Sequence, residues 1–157
     1  FPFLPDLARL EWKIWEAFHA YDGPPLRPEA IQGISPEEWE GLRLGFQPSV
    51  SLVRSAWPVL DIWLERQKKS EEVNFEAAHR LQRVLVGRRE LQVRCELLEK
   101  NQFHLLEDLL AGKTLGQACE RLAETSDALP PVTEWFHRWI TDGLLLTLHP
   151  PVSPLSL

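Results

Sequence analysis

The sequence predicts an α+β protein: a helical N-terminal part with short strands, then a winged-helix-like, peptide-recognition-like C-terminal half. Three observations predict it. Residues 4–21 repeat apolar side chains at helical spacing. Residues 83–97 alternate around a basic turn, as a β-hairpin does. Three short amphipathic segments with glycine stops follow, and an apolar alternation at 144–148 closes the series.

The first helix carries two apolar stripes. Leu7, Leu10, Ile14, Ala17, Phe18 and Tyr21 form one; Ala8, Trp12, Trp15 and His19 form the other. At about 100° per residue their centres lie roughly 140° apart. A surface helix buries one stripe on its own domain, so the second is expected to meet another domain or chain. Trp12, Trp15 and His19 are therefore candidate partner-interface residues, tryptophan being a common interface anchor. Glu11 lies between the stripes and joins them as a candidate. It is expected to be partly buried beside an arginine, because an unpaired buried charge is costly. Asp6 suits the first turn, and Asp22-Gly23-Pro24-Pro25 ends the helix.

Ser35-Pro36-Glu37-Glu38 reads as a capping-box start to a short helix. Leu42, Leu44 and Phe46 alternate as a strand, and residues 49–55 as a second, giving a short β pair. Trp57-Pro58 opens another helix, and polar residues 67–74 are the candidate boundary. The organisation expected is thus a helical interface region over 1–70, a winged-helix-like domain over 71–149 and an extended tail over 150–157. In the hairpin, strands 83–86 and 90–97 flank a turn at Gly87-Arg88-Arg89. Thr114-Leu115-Gly116-Gln117 is a second capping box, and Gly112 and Gly143 stop helices.

Composition excludes several functions. The 44% hydrophobic content supports a packed core, and the net charge of −6, with 17 basic against 23 acidic residues, suits no non-specific nucleic-acid binder. No run is long enough to span a bilayer. Two cysteines make no disulfide framework, so a cytoplasmic setting is expected. The five histidines, at 19, 79, 104, 137 and 149, show no metal-ligand spacing. Neither Cys95 nor Cys119 has an activating neighbour, and there is no nucleophile elbow or phosphate loop. No catalytic residue, metal ligand or cofactor is expected in this chain.

The one basic cluster, Arg80, Arg83, Arg88, Arg89, Arg94 and Lys100, centres on the hairpin. It reads either as a DNA-contacting wing or as a strand edge that meets an acidic peptide. The third helix presents Thr133, Glu134, His137, Arg138, Thr141 and Asp142, a mixed charge that disfavours DNA. Candidate peptide-binding residues are Arg88, Arg89, Leu91, Val93 and Arg94, with Arg138 flanking. The alternative function is a winged-helix transcriptional regulator.

The segment Leu4-Pro5-Asp6-Leu7-Ala8-Arg9-Leu10-Glu11-Trp12, followed by Ala17-Phe18-His19-Ala20, resembles the HvfC/BufC family of MbnC-like proteins. Leu42-Arg43-Leu44, Pro48-Ser49, Arg54-Ser55, Trp57-Pro58-Val59, Ile62-Trp63 and Leu109-Leu110-Ala111-Gly112-Lys113-Thr114-Leu115 extend the resemblance over most of the chain. It implies a non-catalytic partner of an HvfB/MbnB-type iron oxygenase, with the iron in that subunit. The pair would modify cysteines in ribosomally made precursor peptides. Family members usually carry an additional N-terminal helical domain, and residues 1–70 are expected to be the part that follows it. With no Met and an opening at Phe1-Pro2-Phe3, the chain is expected to be a piece of a longer protein.

Overall fold

Leu7, Leu10, Ile14 and Ala17 recur every three or four residues and become the packing face of helix α1 (Leu4–His19). Leu10 and Ala17 are fully buried, with Leu7 and Ile14 packed beside them. In the computed structural model, which describes residues 1–66 and 78–151, α1 belongs to the first of two units. That unit is Phe1–Asp22 with Pro48–Lys100; the second is Gly23–Gln47 with Asn101–Leu157. Each unit mixes helix with a small antiparallel sheet. The polar boundary expected at 67–74 lies outside the described residues, as does the tail from 152 onward.

The first unit contains α1, strand β2 (Ser51–Ser55), helix α3 (Val59–Glu65) and the hairpin β3 (Gln82–Arg89) and β4 (Gln92–Leu97). Its sheet runs in the order β2-β3-β4. Val53, Val59, Leu60, Val84 and Val86 complete the core under α1. Asp6 fastens the start of α1 to β2: it accepts from Ser55 Oγ at 2.6 Å and from Arg9, which also donates to the Arg54 carbonyl. Gln82 is buried and caps α3, accepting from Leu60 N–H at 2.8 Å where Pro58 offers no cap.

The hairpin turn is Glu90-Leu91, not Gly87-Arg88-Arg89. Both turn residues have positive φ, 49° and 65°, the conformation of a two-residue hairpin turn. Burial explains the choice. The observed register sets Val84 opposite Leu97, Val86 opposite Cys95 and Arg88 opposite Val93. A turn at 87–89 would set Val86 against Glu90 and Val84 against Gln92, mixing polar side chains into the core face. Packing therefore overrides turn chemistry, although Glu and Leu sit poorly at positive φ.

In the second unit, β1 (Arg43–Phe46) pairs with β5 (Leu145–His149). The two short strands expected to form a pair, β1 and β2, therefore lie in different sheets. So do the hairpin and the closing strand. Helices α2 (Pro36–Trp39), α4 (Lys100–Leu110), α5 (Leu115–Thr125) and α6 (Val132–Thr141) complete the unit with a 3₁₀ turn at Pro28–Ile31. Both capping boxes form as expected. Gly116 is required by a close approach: its N–H donates to the Glu40 carbonyl, and a Cβ there would stand 2.8 Å from that oxygen. Buried Gln47 exchanges two hydrogen bonds with Gly23 and donates its backbone N–H to Leu144. Trp135, Phe136, Trp139 and Ile140 form the buried face of α6.

Asp108 on α4 is buried and receives Lys113 and Arg121. Removing the carboxylate takes away the shared acceptor of two half-exposed cations, whereas removing Lys113 leaves Arg121 in place. Asp108→Ala should cost about 2 kcal/mol and Lys113→Ala clearly less, measured by urea unfolding. Equal losses would show that the pairing does not organise this helix.

Candidate functional site

The second stripe of α1 faces outward. Trp12 is 57% exposed and Trp15 53%. Their rings stack at 5.0 Å, and Trp15 meets the His19 ring at 4.3 Å. His19 Nδ1 lies 2.9 Å from the Trp15 carbonyl, so backbone and ring together hold its side chain in the row. His19 is exposed, and so is Phe18, at 61%. The assignment of Phe18 and Tyr21 to the buried stripe is thus corrected: both are largely exposed, and Tyr21 lies beyond the helix, which ends at His19. The expected partial burial of Glu11 is corrected too. It is exposed and lies 3.6 Å from Arg66 Nη1. The arginine partner is present, but an exposed pair of this kind contributes only about 0–1 kcal/mol.

Arg88 does not stand on the hairpin surface. It shares the core face of β3 with Val84 and Val86 and is only 9% exposed. Its guanidinium donates to the carbonyls of Phe18 at 2.7 Å, Ala20 at 2.6 Å and Ala17 at 3.3 Å. Asp22 lies 3.8 Å away. No glycine or side-chain cap of the helix itself covers these carbonyls, since Ala20 leaves in an extended conformation. A cation at a helix C-terminus also complements the helix dipole. Arg88 is therefore the C-terminal clasp of α1, and its place among the peptide-contacting residues is corrected.

A groove of about 850 Å³ opens on the first unit. Glu11, Ile14, Trp15, Phe18 and His19 of α1 line one wall; Trp63 and Arg66 line a second. Leu91, Gln92 and Val93 of the hairpin complete it. Candidates from two separate stretches, Trp15 and His19 with Leu91 and Val93, thus meet at one place. Leu91 is 78% exposed at the hairpin tip. Trp63 and Arg66 went unrecognised in the sequence. Their three-residue spacing on a helix was the available signal, and Arg66 stands 4.3 Å over the Trp63 ring.

Strand β4 is an edge of its sheet. Arg89 and Gln92 flank the two-residue turn as a hydrogen-bonded pair, so the backbone groups of Val93, Cys95 and Leu97 point away from β3. No strand of the described residues pairs with them. Arg94 is exposed beside this edge, and Arg89 is half-buried. Arg138 belongs to the second unit, 3.6 Å from Asp142, and the hairpin to the first. Cys95 is half-buried, and burial pushes its thiol up to about 11. This favours the protonated thiol at neutral pH. Among the described residues no three His, Cys, Asp or Glu side chains gather to hold a metal, and no helix is long and apolar enough to cross a membrane.

Arg88→Met leaves three carbonyls without their donor and should destabilise the protein by about 3 kcal/mol. Arg88→Lys should recover part of that loss. Denaturant unfolding measures both, and amide exchange in the last turn of α1 should rise in the Met variant. A loss under about 0.5 kcal/mol in Arg88→Met would rule out the clasp.

Compared with models of known protein families, with curated proteins and with solved structures, the chain finds no match.

Proposed function

We propose that this chain is a non-catalytic accessory subunit that binds an HvfB/MbnB-type iron oxygenase and presents its precursor peptide for cysteine modification. The observation that carries the reading is the outward row of Trp12, Trp15 and His19 on a helix whose other face is already buried. Large aromatic side chains are costly to leave in water and are characteristic anchors of interfaces. The resemblance of the α1 segment to the HvfC/BufC family supplies the kind of partner. In this reading the iron belongs to the partner subunit, and the complex works in the cytoplasm. The order hairpin, three helices and strand is the basis for the winged-helix-like element of the proposal.

The peptide's place in this reading is the β4 edge. Unpaired backbone groups of Val93, Cys95 and Leu97 accept an extended strand. Arg94, with Arg89 behind it, steers acidic residues of that strand, and Leu91 and Val93 offer apolar contacts. Arg88 takes no part, being spent on α1.

The experiment is co-expression with an HvfB/MbnB-type oxygenase, followed by size exclusion and titration. Trp12→Ala and Trp15→Ala should each weaken the complex by about 2 kcal/mol or more, roughly 30-fold. Because both side chains are half in water, each should change unfolding stability by less than about 1 kcal/mol. An oxygenase that does not co-elute, or binds both variants normally, defeats the proposal. Duplex DNA binding that weakens steeply with salt would favour the regulator instead.

A further inference from the structure

The second unit has a groove of its own, about 500 Å³, between the residues leading into α2 and strand β5. Leu42 forms a fully buried floor, and Ile34, Leu146 and Leu148 are half-buried around it. One charged side chain lines the groove, Glu38, and it is fixed. Its Oε2 accepts from the Ser35 N–H at 2.9 Å and from the Ser35 hydroxyl at 3.0 Å. Those two bonds, the backbone one first, hold its pKa below the usual carboxylate value. Both use the same oxygen, so Oε1 remains an open acceptor. Arg43, at the start of β1, donates to the Gly112 carbonyl at 3.1 Å.

The groove runs beside a strand edge. Leu26 N–H donates to the Leu145 carbonyl at 2.7 Å on the side of β5 away from β1. Beyond that bond, no strand of the described residues pairs with this side of β5. An extended chain laid here would find backbone groups along one side, apolar side chains below and a single anion ahead.

We propose that this groove docks an extended peptide segment that seats branched apolar side chains against Leu146 and Leu148 and brings one lysine to Glu38. The chemistry is opposite in sign to that of the β4 edge, where the nearest exposed charge is Arg94. The inference stands independently of the oxygenase reading.

The test uses the whole chain and a fluorescent acetyl-Val-Leu-Lys-Leu-Val-amide, with norleucine and glutamate versions of its lysine. The lysine peptide should bind about ten-fold more tightly than the glutamate peptide. Its binding should shift the amide NMR signals of Leu146, Thr147 and Leu148. Glu38→Gln keeps an oxygen for Ser35 and should bring the lysine and norleucine peptides to equal affinity. A Cβ at Gly33 meets nothing within 4 Å, so Gly33→Leu should fill the groove and weaken all three peptides without lowering the melting temperature. Absence of binding at millimolar peptide overturns the proposal. So does equal affinity for lysine and glutamate peptides, or unchanged binding in Gly33→Leu. An n-octylammonium ion that binds as tightly as the lysine peptide would make this a pocket for small amphiphiles, and the peptide proposal would fall.

Discussion

The arrangement of the first unit depends on a buried guanidinium. Arg88 lies on the core face of β3, where an apolar side chain would ordinarily follow Val84 and Val86. A charge at 9% exposure is costly unless its donors find acceptors; both terminal nitrogens of Arg88 do, while its buried Nε has none. The carbonyls of Ala17, Phe18 and Ala20 supply the acceptors, and they are groups that a helix end leaves orphaned. Each deficit answers the other. The bond also fixes where α1 stops, because Ala20 must turn extended for its carbonyl to reach the same guanidinium.

That fixed end determines what the helix shows to solvent. With Asp6 tied to Ser55 at one end and Arg88 holding the other, rotation of α1 about its axis is restricted. Leu10 and Ala17 stay down on the sheet, so Trp12, Trp15 and His19 stay out. The aromatic row is thus held in one arrangement, which would reduce the entropy lost by any partner binding proposed for it. The same clasp brings the hairpin tip beside the helix end, and that is why Leu91 and Val93 line one groove with Trp15 and Phe18.

Periodicity made α1, both capping boxes, the hairpin and the three later helices legible, because each is a local pattern with one favoured solution. The outward row was legible as well, since Trp12, Trp15 and His19 share a face whatever the rest of the chain does. The register of the hairpin was not. Gly87 is the stronger local turn signal, and only the nonlocal need to match Val84 and Val86 with Leu97 and Cys95 displaces the turn to Glu90-Leu91. Strand partners were hidden for the same reason: β1 meets β5 across about a hundred residues, and no local pattern encodes that pairing. Phe18 misled because it lies at the boundary between stripes, where the last turn of a helix decides the outcome.

The register changes the meaning of the basic cluster. In sequence, Arg80, Arg83, Arg88, Arg89, Arg94 and Lys100 look like one cationic surface. In the fold Arg80 pairs with Asp61, and Arg88 is consumed inside the unit. Arg94 and Lys100 remain on the surface. Polyanion affinity scales with the number of phosphates neutralised, so each cation spent internally lowers it. A strand edge needs no such density: backbone hydrogen bonds supply the affinity, and one or two flanking charges set direction and register. The cluster is therefore not one cationic surface, and it can contribute less to polyanion binding than its density in the sequence suggests.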